Sequence, residues 1–365
     1  MRVALLGDLA FFGRISVRVN PRTDDYFSEV ADYLKGFDYV VGNLEAPFSE
    51  KRRTSGAKSA YICADKEDVQ TLKQLHVDAV CLANNHMFDY GNEGYETTKR
   101  VLRENGIDYF GAEGKELHVD IDGDKIAFSG FCCYTSNPLK CVRHGGYGVN
   151  AYNVDDVRQV LKQNADKGYF NIVAVHAGME HVNYPSLEHI RAARLLAEFC
   201  PYVYYGHHPH VIQGVEEYKG SLIAHSLGNF CFDDVYTDRS SLPLVELTDN
   251  NRTGAILEIE ISDNKILNWR EQVVYIAKEE KMRLIDASEE IEEYNQQLRT
   301  SENNIVSYVA RRNQILSSRI HERKSARTLM WYLKRMRPRY VQILINAHKN
   351  AKMYSRNVLK FIQND

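Results

Sequence analysis

The chain has 365 residues, 44% of them apolar and 26% charged, with a formal net charge of −3 at pH 7. A chain of that length can bury a large core, enough for one big domain with an appendage or for two modest domains. Ordinary globular proportions exclude wholesale disorder, and a nearly balanced charge favours no particular partner for the chain as a whole.

Met1-Arg2 runs straight into an apolar stretch at residues 3–6, which ends at Gly7-Asp8. That stretch is too short for the apolar region of a secretion signal. No apolar run approaches the roughly 20 residues that span a bilayer. The expectation is a cytoplasmic protein, with peripheral contact at the inner membrane face left open. Short strand-like runs follow at residues 39–41, 79–82, 125–130, 172–175, 202–205 and 222–225. Helical patterns lie between several of them, at 26–35, 66–76, 93–105, 154–167 and 187–199. Such alternation predicts an α/β fold with mostly buried sheets. Residues 255–261 and 265–275 flank Ser262-Asp263-Asn264 and read as a β-hairpin that closes the scaffold. The seven cysteines, Cys63, Cys81, Cys132, Cys133, Cys141, Cys200 and Cys231, show no C-x-x-C repeat and sit mostly in apolar runs. They read as reduced thiols, neither a disulfide framework nor a zinc finger.

Composition shifts near Ala277, after which glycine is absent. Helices are predicted over 289–298, 304–320, 326–336 and 339–362, the last two separated at Pro338. The expected units are 1–277 and a basic helical extension at 278–365. From Arg323 to Asp365 there are eleven cations and one anion, Asp365, interspersed with Leu329, Trp331, Val341, Leu344 and Ile345 among other apolar residues. The preferred reading is an apolar stripe packed on the body with the charges solvated. The competing reading is contact with an anionic membrane surface or with a capsule-assembly machine through residues 323–365. No stacking platform or binding motif points to nucleic acid.

In an α/β sheet, ligands collect beyond the carboxyl ends of the strands. Here each polar cluster follows a strand at that end: Gly7-Asp8, Gly42-Asn43-Leu44-Glu45, Ala83-Asn84-Asn85-His86, His176-Ala177-Gly178, Gly206-His207-His208-Pro209-His210 and Ser226-Leu227-Gly228-Asn229. Carboxylate, amide oxygen and imidazole suit Mn, Fe, Zn or Ni without any thiolate. The candidate ligands are Asp8, Glu45, Asn85, His176, His208 and His210. In an extended stretch, residues two apart share a face, so His208 and His210 are paired and His207 is left ambiguous. Several have a plainer alternative: Asp8, Asn84 or Asn85 as a helix cap, Glu45 as a loop residue, His176 as a core histidine. Arg14 is a candidate for an anionic substrate or a surface residue in a loop.

Together with Ala46-Pro47, Asp89-Tyr90-Gly91, Met179-Glu180 and Phe230, these motifs resemble the bacterial capsule synthesis proteins of the CapA type, also called poly-γ-glutamate synthesis proteins. They fall in that family's order over roughly residues 1–235. The family in turn resembles the calcineurin-like metallophosphoesterases. The resemblance implies a two-sheet α/β/β/α sandwich of that type, followed here by the C-terminal helical extension, and a site for one or two divalent metal ions. It implies that Asp8 and His210 bind one metal, that Glu45 bridges, and that Asn85, His176 and His208 complete the second. His86 would sit beside the substrate as acid or oxyanion stabiliser, oriented by Asp89. Asn84, Glu180, His207 and Asn229 would contact the substrate, an anionic small molecule or polymer. The sequence also departs from the pattern: Ala10 stands where phosphoesterases usually place a histidine, Ala177 where the capsule family usually has Trp, and His225 where it has Tyr. The function implied is phosphoester hydrolysis linked to capsule, exopolysaccharide or poly-γ-glutamate metabolism. The alternatives are a non-catalytic, metal-binding component of a polymer-assembly machine, or hydrolysis of another bond such as an amide.

Overall fold

The computed structural model describes residues 1–20, 23–50, 53–237, 240–278, 280–325 and 338–364. Two sheets carry the fold. The first contains β1 (Arg2–Leu9), β2 (Tyr39–Leu44), β3 (Ala79–Cys81) and β4 (Asp108–Phe110), all parallel. The second contains β5 (Leu117–Ile121), β6 (Asp124–Cys132), β7 (Phe170–His176), β8 (Tyr202–His207), β9 (Val215–Tyr218) and β10 (Ser221–Ala224), in the order β9-β10-β8-β7-β6-β5. The central strands β6, β7, β8 and β10 run parallel, and an antiparallel strand closes each edge. The chain then returns to the first sheet. β11 (Asn229–Cys231) pairs with β1 in parallel, and β12 (Thr253–Ser262), β13 (Lys265–Tyr275) and β14 (Arg283–Ile285) extend it antiparallel.

β1 is buried from Val3 to Leu9, as a strand covered on both faces must be, which explains its lack of polar alternation. One continuous core takes in Leu5, Val41 and Leu257 of the first sheet and Ile126, Phe128 and Ile172 of the second. Tyr39 stacks on Phe128 across it, with ring centroids 5.7 Å apart. The buried Tyr205 hydroxyl of β8 donates to the carbonyl oxygens of Leu6 and Val41, tying the second sheet to the first. Helices cover the outside. Ser28–Leu34 and Gly91–Glu104 contribute Val30, Leu34 and Leu102 to that same core. Val154–Asp166 and Leu187–Ala197 cover the second sheet through Val157, Leu161 and Leu196. This is the two-sheet sandwich that was expected.

The hairpin at β12–β13 turns at Asp263 and Asn264, whose φ values of 51° and 59° match the left-handed conformation that a tight two-residue turn requires. The pattern past residue 278 is not wholly helical. Arg283–Ile285 adds an edge strand through Val273, Val274 and Tyr275, a three-residue segment too short to show a period in sequence. Strands β4 and β11 are as short, and β9 alternates weakly, whereas β5, Leu117–Ile121, alternates strictly and is an edge strand the expected elements did not include. All seven cysteines are free, and Cys81, Cys132, Cys133 and Cys231 are buried. The predicted helix at 326–336 lies outside the described residues. The described part of the C-terminal segment carries the helix Pro338–Tyr354. Among the described residues no helix is long and apolar enough to cross a membrane.

Candidate metal centre

Strand register assembles the site. Asp8 of β1 stands opposite Asn43 of β2 and Asn229 of β11. In the other sheet His176 of β7 stands opposite His207 of β8. These are two rows of polar residues at the carboxyl ends of parallel strands, one row per sheet. The glycines before them allow the close approach. A Cβ on Gly7 would lie 2.3 Å from the Gly228 carbonyl oxygen, and one on Gly206 would lie 1.9 Å from that of His225.

The rows meet at Asp8. Its Oδ1 lies 2.9 Å from His207 Nδ1 and accepts a hydrogen bond from Asn43 Nδ2 at 2.8 Å. Its Oδ2 lies 3.5 Å from His210 Nδ1 and accepts the backbone N–H of His208 at 3.3 Å. Burial alone would push the Asp8 carboxyl up. The His207 hydrogen bond, the histidine charges and Asn43 outweigh it and hold Asp8 below the ordinary carboxylate range.

Glu45 has the opposite balance. It is completely buried, and neither carboxylate oxygen has a hydrogen-bond partner. Burial first, and then the charge of Asp8, push its carboxyl well above the ordinary value. Three imidazole Nε2 atoms face its Oε1: His210 at 3.7 Å, His176 at 3.8 Å and His86 at 3.9 Å. Asp8, Glu45 and His210 each offer a ligand atom within 4.8 Å of the others. On the far side, His176 Nε2 lies 2.9 Å from Asn85 Oδ1, and the His176 and His208 rings are 4.8 Å apart. His208 Nδ1 is buried without a partner. Burial, then neighbouring histidines, depress His176 far below the usual imidazole value, and burial takes His208 down to about 4. The two unpartnered oxygens of Glu45, the unpartnered Nδ1 of His208 and the Nε2 of His210 turned toward Glu45 make a donor set that fits a divalent cation.

His208 and His210 do not lie in an extended stretch. Their φ values are 95° and 57°, so the alternation rule does not apply past the end of β8. This bend lets the adjacent His207 and His208 both approach Asp8, one by its ring and the other by its backbone N–H.

His86 belongs to a second, linked group. Its Nδ1 lies 2.6 Å from Asp89 Oδ2, which leaves Nε2 turned toward Glu45. Lys58 Nζ reaches Asp89 Oδ1 at 2.8 Å, the Asn85 carbonyl oxygen at 2.7 Å and His86 Nδ1 at 3.1 Å. Burial would raise the Asp89 carboxyl, but His86 and Lys58 hold it low. Burial leads the depression of His86 below the ordinary imidazole value, and the charge of Asp89 opposes it.

Residues 2–234 match the family described as "Bacterial capsule synthesis protein PGA_cap". This chain belongs to that family of bacterial capsule synthesis proteins. It is 30% identical over 275 residues to the "Capsule biosynthesis protein CapA" of Bacillus anthracis, covering 71% of this chain and 66% of that one. It is 27% identical over 256 residues to the "PGA biosynthesis protein CapA" of Bacillus subtilis (strain 168), covering 67% of each. The matched region spans about two thirds of each relative. Among solved structures, a putative 5'-nucleotidase from Staphylococcus aureus superposes loosely, with a TM-score of 0.43 at 11% identity over 82% of this chain and 58% of that one.

In this member of the capsule synthesis family, the six expected ligand residues and both His86 and Asp89 lie together. The other expected contacts are placed differently. Asn84 is committed to backbone: its side chain accepts the N–H groups of His86 and Met87 and donates to Leu44. Asn229 orients His210, with its Oδ1 2.9 Å from Nδ1. Glu180 stands half-buried and its charge is felt by both Glu45 and His208. Arg14 lies outside the group, held by Asp233 and the Lys278 carbonyl oxygen. Two residues that matter were missed. Asn43 is an amide inside an otherwise apolar strand, which is a readable signal. Lys58 lies in an irregular loop, where no pattern marks it.

A first expected outcome concerns the histidines. His176→Ala and His208→Ala should each lower bound divalent metal sharply, measured by elemental analysis of dialysed protein. Unchanged stoichiometry in both would remove them from the ligand set.

Proposed function

We propose that this chain is a metal-dependent hydrolase that cleaves a phosphoester in capsule, exopolysaccharide or poly-γ-glutamate metabolism. The observation that carries it is Glu45, a fully buried carboxylate with two unpartnered oxygens, faced by three imidazole nitrogens and flanked by Asp8. An isolated buried charge of this kind costs several kcal/mol unless a cation compensates it. The names of the Bacillus relatives supply the link to capsule and polymer metabolism.

Asp8 and His210 would hold one divalent ion, with Glu45 between it and a second held by Asn85, His176 and His208. Bound there, divalent ions supply Lewis-acid charge at a phosphoryl group and make water more acidic. The protein's own residues supply the rest. His86, aimed by Asp89, presents Nε2 at the pocket, where it stabilises charge on the transferred group or protonates the leaving oxygen. Lys58 keeps Asp89 ionised and in place. Tyr205 ties the two halves of the site together, and the close strand approaches at Gly7 and Gly206 pack each half within its own sheet. The test is hydrolysis of an aryl phosphate with added Mn, before and after chelation. Absence of metal-dependent turnover would overturn the hydrolase reading.

The second reading, a metal-binding component without catalysis, has one observation in its favour. Ala10 is fully buried, donates its N–H to Cys231 at 2.7 Å and brings no ligand atom. A metal on the Asp8 side would therefore have fewer protein ligands. Calorimetric titration should show two unequal steps or a single one; two equal, tight sites would contradict the ligand assignment.

A further inference from the structure

The C-terminal segment divides into a docked half and an exposed half. Asn350 donates to Asn137 Oδ1 at 3.0 Å, Asn357 accepts from Asn153 at 2.8 Å, Tyr354 meets the edge of His189, and Val358 is fully buried. Phe361 and Ile362 pack on the same core over the second sheet. These residues form the face that holds the segment to the body. At about 3.6 residues per turn, Val341 lies half a turn round from Asn350. Val341, Leu344 and Ile345 are 57%, 71% and 43% exposed. At helical spacing they form one apolar strip at the start of Pro338–Tyr354. Along the same outward side follow His348, Lys352 and Arg356, with Lys349 beside them, all exposed.

We propose that this outward face docks on an anionic lipid surface, with Val341, Leu344 and Ile345 entering the headgroup boundary and Lys349, Lys352 and Arg356 facing the lipid charge. The charge of the segment selects the occupant. Residues 323–364 contain no Asp or Glu, although the whole chain is net acidic. A second copy of the chain would have to meet this face with the same cations, which repel, whereas an anionic surface attracts them. Aliphatic side chains give no platform for stacking bases, so nucleic acid fits less well. The body end of the segment, anchored at Asn350, Tyr354 and Val358, keeps the metal centre's domain tethered next to the surface.

The experiment uses the full chain with phosphatidylglycerol-containing and pure phosphatidylcholine vesicles, at low and high salt. Co-sedimentation is expected on the anionic vesicles at low salt and not on the neutral ones. Each basic residue near the surface is worth about fivefold in partition. Lys349→Gln, Lys352→Gln and Arg356→Gln together should therefore lower binding by about a hundredfold. Leu344→Asp, at a side chain already in solvent, should also release the protein while its circular dichroism and metal binding stay unchanged. Equal binding to neutral vesicles, or binding unaltered in both variants, overturns the proposal. So does a concentration-dependent dimer in light scattering that Leu344→Asp abolishes.

Discussion

Glu45→Gln should make the metal-free protein more stable and the metal-supplemented protein less so. The wild-type carboxylate is buried beside Asp8 with both oxygens unpartnered, and a buried polar group left unsatisfied costs about 1–3 kcal/mol. The amide removes the charge and keeps the shape. Sign follows from linkage: the folded-state carboxyl of Glu45 titrates well above its ordinary value of 4.5. The folded state therefore holds this proton more tightly than the unfolded chain does, and stability falls as pH rises above that ordinary value. The advantage of Gln is thus absent at acid pH and grows toward neutrality. With metal the order reverses. A cation at a thousandfold excess over its Kd stabilises the wild type by about 4 kcal/mol, and the variant loses most of it. Thermal melts with and without Mn, at pH 5 and pH 8, check both halves. A variant that is less stable without metal, or that keeps the full metal-induced shift, would show that Glu45 is not the cation's partner.

His86→Ala should lower kcat on an aryl phosphate by about 10²–10⁴, the range for a general acid or base, while metal content stays near wild type. The fold tolerates the change because Asp89 remains satisfied by Lys58 at 2.8 Å and by the Ile62 N–H at 3.1 Å. Asp89→Asn is a poorer probe. It strands the buried Lys58 ammonium, and breaking such a pair costs about 3–5 kcal/mol. If His86→Ala turns over as fast as wild type, His86 has no part in the chemistry, whatever metal is bound.

Strand-end motifs made most of this site readable. Parallel strands place their carboxyl ends together, so Asp8, Glu45, Asn85, His176 and His210 could be gathered from five distant stretches without knowing the sheet order. The parts that resisted have physical reasons. Lys58 acts through a loop whose path depends on tertiary packing. Arg14 was within reach of Asp8 in sequence, yet Asp233, 219 residues away, holds it. Periodicity cannot foresee either contact. The competition between His207 and His208 was argued from strand alternation, which fails where φ turns positive. In the C-terminal segment the apolar residues could be counted, but which would be covered depended on where Tyr354 and Val358 meet the body.

The meeting of Asp8 with the His208 backbone, 200 residues apart in sequence, sets a schedule for the protein in the cell. No metal pocket exists until β8 has been synthesised and the two sheets have closed on each other. An ion bound there would therefore not guide early folding; it would capture a scaffold that is already complete. Its kinetic signature should be slower unfolding with little change in the folding rate, because contacts formed after the transition state act on the unfolding limb. A nascent chain or a C-terminally truncated fragment that ends before residue 207 would lack His207, His208 and His210, leaving Asp8 without its histidine partners and Glu45 with only His86 and His176. Metal loading would then mark the finished protein from its incomplete forms.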